Sequence, residues 1–306
     1  MAASPARVAI LLSTYNGARF LAAQLDSFVA QSLAEWRLYW RDDGSEDATV
    51  AVMQAFAAGA GAGRCEAVAV PGHLGATESF MALLRAAAPA GLPVAFADQD
   101  DVWLPEKLAL GVAALGAEAG PALYCSRQML VDDGLAPLGE SAPLRRTPCF
   151  PAALTQNIAT GCTVLLNPAA ARLVAGSQAP SGSLHDWWSY LLVAAAGGRV
   201  IADPTPTVLY RQHRGNLVGA PRSMRHRARA ALQRGPGVFM GVLRAHVAAL
   251  LSQPELLSGE ARRALAVVQR GLSGGVAQRL AALRLPGLCR QTWQETLLFR
   301  WWFLIG

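Results

Sequence analysis

Residues 7–13 (RVAILLS) form an unbroken apolar run of Val, Ile and Leu, the pattern of a strand covered on both faces of a parallel sheet. The run stops at polar Thr14-Tyr15-Asn16-Gly17, and Leu21, Leu25 and Phe28 then recur at i, i+4 and i+7 across 18–31, one face of a helix. The alternation continues with a strand at 36–41 (WRLYWR), a helix at 47–58 that Asp47 caps, a short strand at 66–70, a helix at 76–87 and a strand at 93–97 (PVAFA). Strand and helix taking turns in this way predict an α/β fold, a doubly wound and mostly parallel sheet with helices on both faces. In such a sheet ligands sit beyond the carboxyl ends of the strands. Thr14-Tyr15-Asn16, Asp42-Asp43-Gly44-Ser45 and Asp98-Gln99-Asp100-Asp101 each follow a predicted strand, so they are expected to converge on one edge. Beyond Trp103 the pattern loosens to a helix near 105–118, a strand near 121–131, a Pro- and Arg-rich loop at 134–151, a helix at 183–196 and a strand at 207–210.

From about 221 strand signals give way to Ala, Leu and Arg, and GNLVGAPR marks a boundary near 215–225. The expected organisation is a domain over 1–220, with halves at 1–103 and 104–220, followed by a helical appendage over 221–306. Charge sharpens the division. Residues 1–220 carry 14 Arg/Lys against 18 Asp/Glu, while 221–306 carry 13 Arg against 3 Glu, so the net charge of +6 belongs to the tail. A tail of that sign suits an anionic partner, and its lack of a phosphate-tracking stripe with spaced stacking aromatics argues against nucleic acid.

A chain of 306 residues with 53% hydrophobic and 16% charged residues has ample material for a core, which excludes a disordered protein. The five cysteines are odd in number, widely spaced and never paired as CxxC, a pattern that fits neither a disulfide framework nor a zinc site. No secretory signal and no run of about 18 apolar residues is visible, so the protein is expected in the cytoplasm.

Three carboxylates in Asp98-Gln99-Asp100-Asp101 repel one another, and a hard divalent cation with a preference for oxygen relieves that repulsion while bridging phosphates. Asp42-Asp43-Gly44-Ser45 reads on its own as a turn, although ionised Asp there is a pure acceptor suited to a nucleobase imide or ribose hydroxyls. Asp186, in His185-Asp186-Trp187-Trp188, is either a first-turn helix stabiliser or, desolvated by its aromatic neighbours, a general base. Tyr210-Arg211-Gln212-His213-Arg214 offers cationic donors for a diphosphate, or a solvated basic loop.

Taken in order, AILLSTYNG (9–17), RDDGS (41–45), ADQDDVWLPEK (97–107), NIATGCTVLLN (157–167), HDWW (185–188) and YRQHRGNLVG (210–219) resemble the bacterial family 2 glycosyltransferases, and within them the rhamnosyltransferase-type enzymes of surface polysaccharide synthesis. The resemblance spans residues 7 to about 219. It implies a GT-A fold and an inverting transfer of a sugar, rhamnose from TDP-rhamnose first among candidates, to an acceptor hydroxyl of a saccharide or lipid-linked saccharide. Thr14, Tyr15, Asn16, Asp42 and Asp43 would contact the nucleoside and Asp98 the ribose or sugar. Asp100, supported by Asp101, would hold Mg²⁺ or Mn²⁺, Asp186 would be the base, and His213 would serve the donor site. Trp103, Gly161, Cys162, Trp187, Trp188 and Arg211 complete the motifs on the acceptor side and around it. His73 stands where the family pattern has Asn, and Arg214 where it has a small residue. A sugar nucleotidyltransferase would show a Gly- and basic-rich loop after its first strand, which 14–17 is not. A binding protein without activity would be free to lose Asp100 or Asp186. The second expectation attached to the tail is contact with the inner face of an anionic membrane through Arg-rich 222–234 and the apolar 297–305, set against simple packing on the domain.

Overall fold

A computed structural model describes the backbone of residues 7–213 and 224–306 and the side chains of 7–213 and 235–306. The expected boundary at 215–225, Arg214 and the side chains of 222–234 lie outside the described residues.

The first half follows the predicted alternation: β1 (Val8–Thr14), α1 (Ala18–Val29), β2 (Trp36–Asp42), α2 (Thr49–Ala58), β3 (Cys65–Ala67), α3 (Gly75–Ala87) and β4 (Val94–Ala97). β1 pairs in parallel with β2 on one side and β4 on the other, and β2 with β3. Val8 to Leu12 are all fully buried, because β1 is covered on both faces and its alternate residues go to different cores. Val8, Ile10 and Leu12 meet Leu21, Leu25 and Phe28 of α1 and Met53 and Phe56 of α2, while Ala9 and Leu11 face Phe80, Leu83 and Leu84 of α3.

The second half continues as β5 (Val102–Trp103), α4 (Lys107–Leu115), β6 (Ala122–Val131), β7 (Pro137–Glu140), β8 (Leu165–Leu166), α5 (Pro168–Ala175), α6 (His185–Ala195) and β9 (Arg199–Arg211). The sheet has nine strands in the order β3-β2-β1-β4-β8-β6-β9-β5, with β7 beside β6. It is mixed. β8 runs antiparallel to β4 and β6, β5 antiparallel to β9, and β6 parallel to β9. β5, β8 and α5 answer to no element expected from the sequence, and two further segments differ from it. β7 forms inside the predicted 134–151 loop, where a turn held by Asp132 folds the chain back onto β6. β9 begins at Arg199, eight residues ahead of the expected start, because Pro204 and Pro206 break the apolar alternation without ending the strand. The register with β6 shifts at that point, between Ser126 and Gln128.

α7 (Met224–Leu251), broken at Gly235-Pro236 where Gly235 has φ 73°, is followed by α8 (Gly259–Ser273), α9 (Val276–Leu283) and α10 (Trp293–Ile305). Ser258 caps α8, and Thr292 with Glu295 forms a capping box on α10. Met240, Leu243, Val247, Leu265, Phe299, Trp302 and Phe303 pack into the same core as α3, α5 and α6. The C-terminal helices therefore share a core with the sheet.

Candidate active site

The carboxyl ends of the parallel strands meet as the polar clusters predict. Thr14 and Asp42, neighbours in register at the ends of β1 and β2, are joined by a 2.9 Å hydrogen bond from the Thr14 hydroxyl. The loop after β4 is stitched to the loop after β1 in both directions: Tyr15 N–H donates to Gln99 Oε1 at 2.8 Å and Gln99 Nε2 donates to Tyr15 O at 2.9 Å. Asn16, held at a left-handed φ of 46°, accepts from Glu46 N–H with its side chain and donates its own N–H to Ser45. Asp47 accepts from Thr49 N–H at the start of α2 and from Ala18 N–H at the start of α1, so a single carboxylate serves two helix N-termini.

These loops and α6 enclose a cavity of about 410 Å³. Of the residues singled out in the sequence, Thr14, Tyr15, Asp43, Asp98, Asp100, Gly161 and Asp186 line it. His73, Thr77, Phe80, Gln99, Thr160, His185 and Tyr210 line it as well, without having been assigned a role there. His185 and Tyr210 sit inside quoted motifs, so proximity to Asp186 and Arg211 was their available signal. Phe80 lies on a helix face that reads as ordinary core, and no sequence signal separates it.

At one end of the cavity lies Asp43. Arg41 Nη1 donates to it at 2.5 Å, Leu74 N–H at 2.7 Å and Gly75 N–H at 2.8 Å, and Arg41 also reaches Ser79 Oγ and the carbonyl of Val70. Burial raises the Asp43 carboxyl, but the donated hydrogen bonds from Leu74, Arg41 and Gly75 prevail and hold it below its usual range. His73 Nδ1 is 3.1 Å from Asp43 Oδ2, and its ring lies 4.9 Å from that of Tyr15. Asp42 turns inward: its two oxygens accept from Thr14, Ser45 and Gly44, which makes it the brace of the 42–45 turn.

At the other end lies Asp186, in the first turn of α6. Gly161 N–H donates to its Oδ2 at 2.9 Å and Trp187 N–H to its Oδ1 at 2.5 Å. Burial lifts its pKa to about 6, against the pull of these N–H groups and of Asn157. Asp98 is raised further, to about 7, by burial first and then by the charges of Asp100 and Asp186, with Lys107 opposing. The His185 ring is stacked on Phe80 at 4.0 Å and meets the edge of Phe96 at 4.9 Å, and burial drives it down to about 3, so it is neutral at physiological pH. Among the described residues its Nε2 has no hydrogen-bond partner. Gly161 gives that ring its room, since a Cβ there would stand 2.9 Å from the nitrogen.

Behind the 98–101 turn the remaining motif residues form a support. Asp101 is fully buried, does not line the cavity, and accepts Arg211 N–H at 3.0 Å. The Arg211 side chain donates to the carbonyls of Asp100 and Asp133 and lies over the Phe20 ring at 4.4 Å. His213 Nε2 is 2.7 Å from Asp100 Oδ2, and His213 itself does not line the cavity. Lys107 is fully buried with its ammonium 4.6 Å from the Trp103 ring; burial lowers its pKa to about 8, opposed by the nearby Cys162, Asp101, Cys125 and Asp98. Trp103 packs on Phe28 at 4.7 Å, and Trp188 is buried with Nε1 donating to Ser177. Trp187 Nε1 donates to Ala153 O, and its ring meets His246. None of these three tryptophans reaches the cavity.

Asp98, Asp101 and Cys162 also bring one ligand atom each within 4.8 Å of one another. Asp101 and Cys162 lie outside the cavity wall with the Lys107 charge beside them, and burial followed by the two aspartates holds the Cys162 thiol far up, so that trio suits an internal charge network better than a hard cation. Asp98 and Asp100, whose mutual repulsion faces the cavity, are the oxygen donors that fit one.

Comparison with known proteins agrees with this architecture. Residues 9–158 match the family model described as glycosyl transferase family 2. The dTDP-rhamnosyl transferase RfbG of Shigella flexneri is 25% identical over 216 residues, covering 68% of this chain and 74% of that protein. Among solved structures, S. aureus TarS 1–349 in complex with UDP-GlcNAc superposes with a TM-score of 0.58 at 15% identity, over 90% of this chain and 78% of that one. The same protein with UDP gives 0.58 at 14% identity, over 87% and 72%. At such identities the structural likeness is one of fold.

Proposed function

We propose that this chain, which carries a family 2 glycosyl transferase domain over residues 9–158 on a GT-A fold, transfers a sugar from a nucleotide-diphosphate donor to an acceptor hydroxyl with inversion at the anomeric carbon. The observation that carries the reading is the shared cavity. It joins a hydrogen-bonding end at Thr14, Tyr15 and Asp43, suited to a nucleoside, to an acidic end at Asp98, Asp100 and Asp186, suited to a diphosphate with a cation and to a base.

In this mechanism the acceptor hydroxyl attacks the anomeric carbon from the face opposite the diphosphate. Its proton passes to Asp186, the new C–O bond forms, and the electron pair of the old bond leaves with the nucleoside diphosphate. Gly161 N–H and Trp187 N–H fix the orientation of the Asp186 carboxylate. Burial makes it a stronger base than an exposed aspartate while leaving it mostly ionised at pH 7. His185, next along the chain, is neutral and adds no positive charge to Asp186. Asp98 and Asp100 would hold Mg²⁺ or Mn²⁺, which stabilises charge on the departing diphosphate. His213 orients Asp100 and Arg211 anchors the turn beneath it.

TDP-rhamnose is the first donor to try, supported by the Shigella relative at 25% identity, with other TDP- or UDP-hexoses next. The acceptor is a saccharide or lipid-linked saccharide. The test is a donor panel with Mg²⁺ or Mn²⁺, scored by slow donor hydrolysis and by nucleotide-protected melting. A metal-dependent response to one donor supports the reading and names the sugar. Folded protein that neither binds nor hydrolyses any donor overturns it.

A further inference from the structure

α10 breaks the usual rule for a surface helix. One face, Thr296, Phe299, Trp302 and Phe303, is buried against Phe239 and Met240. The opposite face should be polar. Instead Trp293, Leu297, Trp301 and Ile305, spaced at i, i+4, i+8 and i+12, are each between 53% and 65% exposed. Together they make an apolar stripe about 18 Å long at the helical rise. α9 is tied to the end of α10 by Arg279 Nη1 donating to Leu304 O at 2.6 Å, and it adds exposed Val276 and Leu280.

The exposed charges on α9 and α10 and just after α9 are arginines. Arg300 lies within the stripe and Arg284 follows α9, both exposed. The only acidic residue in either helix is Glu295, whose carboxylate is engaged in the capping box. Across 221–306 there are 13 Arg against 3 Glu. No described helix is long and apolar enough to cross a membrane, so the stripe is not part of a span.

We infer that the exposed face of α9 and α10 is a seat for an anionic lipid bilayer, with Trp293, Leu297, Trp301 and Ile305 entering the headgroup region and the arginines meeting lipid phosphates. Tryptophan, with an apolar body and one N–H donor, suits that boundary, and arginine keeps its head in water while its stem lies along apolar surface. The positive balance selects the bilayer over an apolar protein groove, because headgroup phosphates answer a charge that such a groove leaves unpaired. The sequence alone set membrane contact against packing on the domain as alternatives; α10 does the packing with one face and leaves the other for the membrane.

The experiment uses the full chain, since α7–α10 supply part of the core. Protein is floated with vesicles of phosphatidylcholine alone and with vesicles carrying about one third phosphatidylglycerol. The variant Trp293→Ser/Leu297→Ser/Trp301→Ser changes only exposed side chains, so its melting midpoint and its nucleotide-protected melting should match the wild type. The expected result is flotation of the wild type with anionic vesicles and a loss of partitioning of about a hundredfold or more in the variant. Equal flotation of both proteins, or no flotation of the wild type, overturns the inference. So does a wild type that self-associates through this face in lipid-free buffer while the variant is monomeric, since the stripe would then belong to a second copy. Vesicle binding is read without turnover, so a failure here is distinct from a failure of the proposed transfer.

Discussion

The two ends of the cavity treat a buried carboxylate in opposite ways. Asp43 is given an arginine and two backbone N–H donors and is held below the usual carboxylate range, whereas Asp98 and Asp186 share the acidic end, with the buried Lys107 near Asp98, and desolvation pushes both up, to about 7 and about 6. A satisfied carboxylate organises loops; here Asp43 ties the end of β2 to the 72–75 segment. An under-satisfied one has affinity left over for a proton or a cation, and that is where chemistry is expected.

The sharpest way to break this contrast is at the acidic end. Asp186→Asn should lower kcat by about 10²–10⁴ while leaving nucleotide-protected melting intact, measured with the donor that the panel identifies. Turnover close to wild type would move the base elsewhere. At the other end the equivalent change acts on stability: Arg41→Met leaves Asp43 buried without its arginine, and an unfolding free energy lower by about 3–5 kcal/mol, read from denaturant titration, is expected. A loss under 1 kcal/mol would mean that Leu74 and Gly75 suffice to hold Asp43.

Titration separates the two ends further. Asp186 has a folded pKa of about 6 against an ordinary value of 3.8, so between those pH values the folded state holds more protons than the unfolded state, and this group makes stability fall as pH rises through that window. Asp186→Asn should therefore melt higher than wild type at pH 7, by at most about 2–3 kcal/mol, with the difference gone near pH 4. The amide can accept only on one side of the pair of N–H donors from Gly161 and Trp187, which reduces the gain. In the wild type, kcat/KM should fall as pH drops through about 6, as the base is protonated. A flat profile between pH 5 and 7 would count against Asp186. The smallest expected effect is Gly161→Ala, whose methyl would crowd His185 Nε2 at 2.9 Å and stand 3.7 Å from Asp186 Oδ2: a loss in kcat of about tenfold with the melting midpoint nearly unchanged.

Much of the site was legible because its residues follow strands. Thr14, Asp43, Asp98 and Asp100 each sit where a predicted parallel strand ends, and the period-2 and period-3.6 patterns locate those ends within a residue or two. Asp101, Trp103, Trp187, Trp188 and Arg211 stand in the same motifs yet point into the core or under the turn, since successive side chains leave a short turn in different directions. Phe80 was invisible for the converse reason: it comes from a helix whose apolar face looks like ordinary packing, and only its stacking on His185 makes it cavity wall.

The sequence by itself determined the alternation of strands and helices in the first half, the parallel character of the strands there, the convergence of three polar loops at the sheet edge and the separation of an acidic body from a basic tail. These depend on local periodicity and on composition, which tertiary contacts do not change. Tertiary structure decided how far each carboxylate is satisfied: Asp43 adds to its chain neighbour Arg41 the N–H donors of Leu74 and Gly75, more than 30 residues away, whereas Asp186 has Gly161 from 25 residues away and Trp187 beside it but no cation. It also decided the two-sided character of α10, where Phe299 and Trp301 differ by 200° around one helix, and only the position of the core says which of them is left facing outward.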